Sequence, residues 1–249
     1  MNLHDGVGAT PEGASDEASA AAKVREMFDE IAPRYDVLNH VLSAGVDGYW
    51  WRRAAATFDD VLKRPESVVL DLCCGTGDMT AALLRRRVAG ARVITGVDFS
   101  AVMLERAREK LKDANAVFVE GDAMRLDVAD ASVDLVTSAF GFRNLANYDA
   151  GLREIARVLK SGGEVGILDC NEPEGLLGRG YRLYFKHVLP VVGSWLSGTR
   201  GPYAYLPRSV ERFPRPARML EMMRGAGFAE VSWTPYTFGV AGLYRGRKK

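Results

Sequence analysis

The chain has 249 residues, 47% of them hydrophobic, which is enough for one large domain or two small ones with a substantial core. Its 33 Lys and Arg residues nearly balance its 32 Asp and Glu residues, so the overall charge argues against bulk nucleic acid as a partner. The three cysteines form no CxxC pair, the three histidines are scattered and no apolar run could span a membrane, so we expect a cytoplasmic protein with reduced thiols and no metal site.

The N-terminal part of the chain is predicted to be a tail followed by a helical preface. Residues 1–22 are small and polar and have no secretion-signal pattern, and we expect them to be disordered. In residues 23–62, apolar side chains recur at helical spacing on both sides of Pro33, which interrupts the pattern. Trp50, Trp51 and Phe58 are expected to anchor this preface in the core.

The sequence VVLDLCCGTGD, residues 68–78, is predicted to contain the first strand of the sheet and the turn that follows it. The apolar run ends at Asp71, and a loop with Gly75, Thr76 and Gly77 then leads into helical sequence. At such a turn the N–H groups of the helix are unpaired, and glycine lets a ligand approach the backbone. A Gly-x-Gly pair alone is equally typical of a turn that binds nothing.

Asp98 follows the next predicted strand, residues 91–97. It comes about 20 residues after the glycines, where a βαβ unit places an acidic residue that binds ribose hydroxyls. The third glycine of the dinucleotide-binding pattern is absent, and Asp71 and Asp78 would repel a pyrophosphate. A cationic ligand with a ribose is therefore favoured, and a nicotinamide-dependent dehydrogenase is disfavoured.

The glycine turn and its surroundings resemble the first motif of class I S-adenosylmethionine-dependent methyltransferases, which implies S-adenosylmethionine as the cofactor. The residues predicted to bind it here are Asp71, Gly75, Thr76, Gly77 and Asp98. A third predicted strand, residues 117–119, is followed at the same edge of the sheet by Asp122 and Ala123. Asp122 would accept a hydrogen bond from the adenine amino group, and the backbone N–H of Ala123 would donate to a ring nitrogen. The alternative is an Asx turn without a ligand.

Three further patterns narrow the resemblance. The preface contains Tyr35-Asp36-x-x-Asn39-x-x-Leu42-Ser43 followed by Trp50, and a fourth predicted strand, residues 133–140, leads into Gly141-Phe142-Arg143-Asn144. With RVLKSGGEVGILDCN at residues 157–171, these patterns resemble the ubiquinone/menaquinone biosynthesis C-methyltransferases. The chain departs from the pattern of that family at Leu38 for Met, Asp47 for His, Ala139 for Ser, Ser161 for Pro and Asp169 for Glu.

The resemblance implies methyl transfer to a ring carbon of a prenylated quinol, in menaquinone or ubiquinone biosynthesis. Arg143 would stabilise the phenolate that forms when a neighbouring hydroxyl loses its proton, and Asn144 would orient it. Tyr35 and Asp36 would close over the cofactor or relay the proton. Two alternatives stay open: a methyltransferase of the same fold that acts on a phenolic oxygen or a lipid, and an accessory protein that binds the cofactor without turnover.

The repeated strand–helix–strand pattern over residues 66–170 predicts a cofactor-binding core, and residues 213–249 predict a last helix and a closing hairpin. Residues 23–249 are thus expected to form one α/β domain: a single doubly wound, mainly parallel, seven-stranded sheet with a terminal antiparallel hairpin. The aromatic-rich insertion, residues 171–212, is predicted to be a lid over an apolar substrate. Arg182, Lys186 and Arg200 lie at the margins of this insertion, so contact with the inner face of the membrane is one expectation for it. A homodimer is a second possibility that the sequence neither favours nor excludes.

Overall fold

The computed structural model describes residues 8–9, 11–43, 45–173 and 201–249 of the chain. Most of the predicted lid, with Arg182, Lys186 and Arg200, lies outside the described residues. None of the helices within these ranges has both the length and the apolar character that a membrane span requires.

Helices surround a single sheet in the described part of the chain. The helices are α1 (Glu17–Ile31), α2 (Tyr35–Leu42), α3 (Asp47–Ala56), α4 (Asp59–Leu62), α5 (Asp78–Leu84), α6 (Ala101–Lys110), α7 (Tyr148–Val158), α8 (Gly201–Arg212) and α9 (Pro216–Gly225). The strands are β1 (Val69–Leu72), β2 (Ile94–Asp98), β3 (Ala116–Glu120), β4 (Val133–Ala139), β5 (Leu159–Cys170), β6 (Phe228–Tyr236) and β7 (Ala241–Lys248). Short 3-10 turns cover Ala32–Arg34, Phe142–Asn144 and Thr237–Gly239.

The sheet has seven strands in the order β3-β2-β1-β4-β5-β7-β6. Strands β1 to β5 are parallel, whereas β7 runs antiparallel to both β5 and β6. This confirms the predicted mainly parallel sheet with its terminal antiparallel hairpin. In the register, Leu72 at the end of β1 pairs with Val97 and Ser138. The segments that follow β1, β2 and β4 therefore emerge side by side at one edge.

Both faces of the sheet carry helices, as a doubly wound fold requires. Val69 packs into one core cluster with side chains of α3 and α5, whereas Leu70 and Leu72 pack into the other with α7 and α9. This division follows from the alternation of side chains along a strand. The predicted anchors Trp50 and Phe58 are buried in the first cluster, and Trp51 packs partly buried against it.

Helix α1 begins at Glu17, inside the tail that the sequence predicts to be disordered. Its start is stabilised by a reciprocal cap: the Asp16 side chain accepts from the Ser19 N–H at 2.7 Å, and the Ser19 hydroxyl accepts from the Asp16 N–H at 3.1 Å. Ala20 is buried in the first turns of the helix. The prediction of disorder is therefore wrong for residues 17–22.

The predicted strand–helix–strand alternation fails once, between β3 and β4. Residues 121–132 join these strands without a helix. An Asx turn opens this link, in which Asp122 Oδ1 accepts from the Met124 N–H at 2.8 Å. The link holds Asp122 and Ala123 at the edge of the sheet where β1, β2 and β4 end.

Candidate functional site

A cavity of about 620 Å³ opens at the carboxyl edge of the parallel strands. Open α/β sheets bind ligands at this edge, beside the point where the strand order reverses. Its floor and walls come from the strand ends and from the preface, which covers it. Among the lining residues are Ala21, Arg25, Phe28, Tyr35, Cys73, Gly75, Asp98, Glu120, Asp122, Ala123, Ala139, Phe140 and Asn144.

The glycine turn at the end of β1 depends on two left-handed glycines. Gly75 has φ +53° and lines the cavity, so its backbone is open to a ligand. Gly77 has φ +87° and is the N-cap of α5, and a Cβ there would lie 3.0 Å from Leu111 Cδ1. Gly77 does not line the cavity. Its part in the site is to let α5 begin where it does.

Asp98 has the place in the cavity wall that its spacing predicts. Its Oδ2 accepts from the Gly75 N–H at 2.8 Å, and its Oδ1 accepts from the Ser100 N–H at 3.0 Å. Burial raises the pKa of Asp98 above its ordinary value, although these backbone N–H groups act in the opposite direction. Each carboxylate oxygen has more than one acceptor position, so both keep capacity for hydroxyl donors such as those of ribose. This donor and acceptor set fits S-adenosylmethionine.

Asp122 and Ala123 line the same cavity, on the far side of Asp98. One oxygen of Asp122 closes the Asx turn, so the turn that was the alternative to a ligand contact exists. Because Asp122 also faces the cavity, the turn and an adenine contact are compatible. Their contact with the cofactor stays a prediction.

Asp71 is fully buried and does not line the cavity. Its carboxylate accepts from the Thr80 hydroxyl at 2.6 Å and from the Thr137 hydroxyl at 2.8 Å, which ties β1 to α5 and β4. The prediction that Asp71 contacts the cofactor is therefore revised, and its carboxylate supports the glycine turn from behind. Burial raises the pKa of Asp71 to about 6.

Because the pKa of Asp71 is raised in the folded state, the stability of the protein should depend on pH through this residue. The folded state favours the protonated carboxyl, so this stabilisation is complete below the ordinary pKa of 3.8 and is lost as the pH rises through about 6. We expect the Asp71→Asn variant, which cannot ionise, to gain stability relative to the wild type as the pH rises over that range. Urea unfolding of both proteins at pH 4, 5, 6 and 7 measures the difference. A difference that is the same at all four values would contradict the prediction.

Thr76 and Asp36 also lie outside the cavity wall. The Thr76 hydroxyl donates to Asp36 Oδ1 at 2.5 Å, and Asp36 Oδ2 lies 2.6 Å from Lys110 Nζ. Lys110 also lies 3.1 Å from Asp78 at the start of α5. These contacts fasten α2 to the glycine turn and to α6. They revise the predicted cofactor contact of Thr76, and they agree with the predicted role of Asp36 in closing the preface over the site.

Arg143 and Asn144 are neighbours in one 3-10 turn, but they face different cavities. Asn144 lines the first cavity together with Tyr35. Arg143 lines a second cavity of about 460 Å³ between α1 and α8. Its Nη1 donates to Asp169 Oδ1 at 2.8 Å and to the Phe140 carbonyl, and its backbone N–H donates to Asp169 Oδ2 at 3.0 Å. The four predicted catalytic residues therefore split: Tyr35 and Asn144 reach the first cavity, and Asp36 and Arg143 do not.

Two contacts of the site were not predicted. Arg25 of α1 forms an ion pair with Glu120 at the end of β3, and both side chains line the first cavity. The spacing of Arg25 from Phe28 places both on one face of α1 and could have indicated this. Tyr205 of α8 donates its hydroxyl to Asn144 Oδ1 at 3.2 Å. No local pattern joins residues so far apart in the sequence.

Comparison with known proteins gives one consistent result. The model of the ubiE/COQ5 methyltransferase family matches residues 16–248. The demethylmenaquinone methyltransferase of Deinococcus radiodurans is 48% identical over 237 residues, which cover 94% of this chain and 96% of that protein. The enzyme of the same name from Thermus thermophilus is 46% identical over 223 residues, which cover 88% of this chain and 99% of that protein. A solved structure of an S-adenosylmethionine-dependent methyltransferase from Thermotoga maritima, described as a possible histamine N-methyltransferase, superposes with a TM-score of 0.64. The match covers 91% of this chain and 100% of that one. At 21% identity it shows the fold alone.

Proposed function

Because the chain belongs to the ubiE/COQ5 methyltransferase family, we propose that it transfers a methyl group to a ring carbon of a prenylated quinol. It is a methyltransferase that uses S-adenosylmethionine. We take demethylmenaquinol as the substrate, since the relatives from Deinococcus radiodurans and Thermus thermophilus are named demethylmenaquinone methyltransferases. The equivalent benzoquinol step of ubiquinone biosynthesis is the second candidate.

The continuity of the first cavity carries this proposal. The same space extends from Asp98 and Asp122, which suit a nucleoside, to Tyr35, Phe140 and Asn144, which suit an aromatic ring with oxygen substituents. A cofactor at one end and an acceptor at the other would thus share one space, as direct transfer between them requires. The preface covers part of this space with apolar side chains such as Phe28, which would limit the access of water to the bound cofactor and acceptor.

The residues that would hold the cofactor are Gly75, Asp98, Asp122 and Ala123. Asp98 would accept hydrogen bonds from the ribose hydroxyls, and the carboxylates of Asp98 and Asp122 in the cavity wall favour a cationic ligand. When bound, S-adenosylmethionine supplies an electrophilic methyl group on a positively charged sulfur. The chain itself supplies the position of the acceptor and the environment in which its hydroxyl loses a proton.

At the acceptor end, loss of the proton from a quinol hydroxyl gives a phenolate, and this makes the neighbouring ring carbon nucleophilic. Asn144 would donate a hydrogen bond to the phenolate oxygen and stabilise it. Tyr35 lies in the same wall and would close over the cofactor or relay the proton, taking it on the hydroxyl oxygen while passing its own hydroxyl proton on towards solvent. Arg143 would stabilise the phenolate through its positive charge from behind Asn144. Burial alone would lower the pKa of Arg143, but the adjacent Asp169 carboxylate outweighs it and raises the pKa above its ordinary range, so this charge is permanent.

The proposed location is the cytoplasm, with peripheral contact with the inner face of the membrane. A quinol with an isoprenoid tail partitions into the bilayer, so an enzyme that methylates its ring must meet the substrate at that surface. The insertion of residues 171–212, which interrupts the regular alternation after β5, is the part of the chain proposed to make this contact.

Purified protein with methyl-labelled S-adenosylmethionine and chemically reduced demethylmenaquinone tests the proposal. We expect label in menaquinol, with the new methyl on a ring carbon by mass spectrometry and nuclear magnetic resonance. Menaquinol, which already carries the methyl group, is the control and should stay unlabelled. Label on oxygen, or binding of the cofactor without transfer to either a naphthoquinol or a benzoquinol, would contradict the proposed function.

A further inference from the structure

We propose that Tyr205 is a positioning residue, which fixes the Asn144 amide so that its N–H₂ group faces the acceptor oxygen. Tyr205 lies on α8 and touches the site from the side of the second cavity, whereas Asn144 lines the first. The hydrogen bond from the Tyr205 hydroxyl to Asn144 Oδ1, 3.2 Å long, is the link between the two. This inference rests on the proposed methyl transfer to a quinol.

The backbone beneath Asn144 is already fixed by other contacts. The preceding residue, Arg143, donates its N–H to Asp169 Oδ2 at 3.0 Å, and its carbonyl accepts from the Tyr148 hydroxyl at 2.9 Å. These bonds hold the 3-10 turn but leave the amide at the end of the Asn144 side chain free to turn over. Among the described residues, the only hydrogen bond to that amide comes from Tyr205.

The direction of this hydrogen bond decides which end of the amide meets the acceptor. Burial raises the pKa of Tyr205 to about 12, so its hydroxyl keeps its proton at neutral pH and can donate. Because it donates to Oδ1, the amide carbonyl is engaged and the N–H₂ group stays available to the first cavity. A donor stabilises a developing phenolate, whereas a carbonyl oxygen turned towards the same place would repel it. Tyr205 would therefore decide whether the Asn144 amide stabilises or repels the developing phenolate.

Tyr205→Phe tests the inference, because it removes the hydroxyl and keeps the packed ring. With methyl-labelled S-adenosylmethionine and reduced demethylmenaquinone as the acceptor, we expect kcat to fall about tenfold or more, since a single oxyanion donor is worth a hundredfold or more. The Kd of the cofactor should not change, because Asp98 and the glycine turn are untouched. The matched control is Arg208→Ala, one turn further along α8, whose side chain forms an exposed ion pair with Glu12. We expect its kcat to equal that of the wild type.

A double-mutant cycle separates positioning from packing. In the Asn144→Ala background, Tyr205→Phe should cause no further loss of kcat, because the amide that Tyr205 orients is gone. Equal losses in both backgrounds, an unchanged kcat in Tyr205→Phe, or a parallel loss of cofactor binding would each overturn the inference while leaving the proposed function in place. A wild-type protein that methylates neither a naphthoquinol nor a benzoquinol would instead overturn the proposed function and the inference with it.

Discussion

Replacing Asp98 with alanine is expected to weaken the binding of S-adenosylmethionine by about 5- to 150-fold. This range corresponds to the loss of about 1 to 3 kcal/mol, which is typical of hydrogen bonds to a charged group. Asp98 is buried in the cavity wall, where its carboxylate is held by the N–H groups of Gly75 and Ser100 and still faces the ligand space. Isothermal titration calorimetry of the wild type and the variant measures the change.

The alanine variant also removes two structural hydrogen bonds, so Asp98→Asn is needed beside it. Asparagine can still accept from the Gly75 N–H and preserve the turn, but it has no charge and fewer acceptor positions. We expect its affinity to lie between those of the wild type and the alanine variant. Asp127→Ala, at an exposed position in the link between β3 and β4, should bind as the wild type does. Unchanged affinity in Asp98→Ala would rule out the ribose contact.

Asp71 and Asp98 show how far the sequence could specify this site. Both are acidic residues at the end of a parallel strand, and both were predicted to contact the cofactor. The strand pattern was sufficient to place them at the correct edge of the sheet. It could not show that hydroxyls of Thr80 and Thr137, from two other elements, would engage Asp71 from within. Only the spacing of Asp98 from the glycines carried information about a ligand, and that is the residue which lines the cavity.

The fold was more predictable than the catalytic end of the site, for a physical reason. The strands follow from hydrophobic periodicity, and their mainly parallel arrangement follows from the alternation of strands with helices, both of which are local or general rules. The direction of a side chain in a short 3-10 turn is set by distant partners instead. Arg143 turns away from Asn144 because Asp169 on β5 binds it, and Tyr205 reaches Asn144 from a helix beyond the insertion. No period or motif in the sequence encodes these two contacts.

Replacing Arg143 with methionine is expected to lower the free energy of unfolding by about 3 to 5 kcal/mol. Arg143 and Asp169 are both buried, at 6% and 0% exposure, and their side chains form an ion pair at 2.8 Å. Removing one member of a buried pair leaves the other charge without compensation, which is far more costly than losing an exposed pair. Urea unfolding measures the loss. The control is Arg218→Met, which breaks an exposed pair with Glu221 and should change stability little.

A loss of turnover in Arg143→Met could come from the missing positive charge at the phenolate or from the destabilised fold. The double variant Arg143→Met with Asp169→Asn distinguishes these two causes. Without the buried charge, we expect most of the lost stability to return, because Asn can still accept from the backbone N–H of residue 143. Turnover of reduced demethylmenaquinone should stay low if the guanidinium stabilises the phenolate, since that positive charge is still absent. If turnover returned together with stability, Arg143 would hold the 3-10 turn and contribute nothing to the chemistry. If stability did not fall in the single variant, the buried pair would not be what holds Asn144 at the cavity wall.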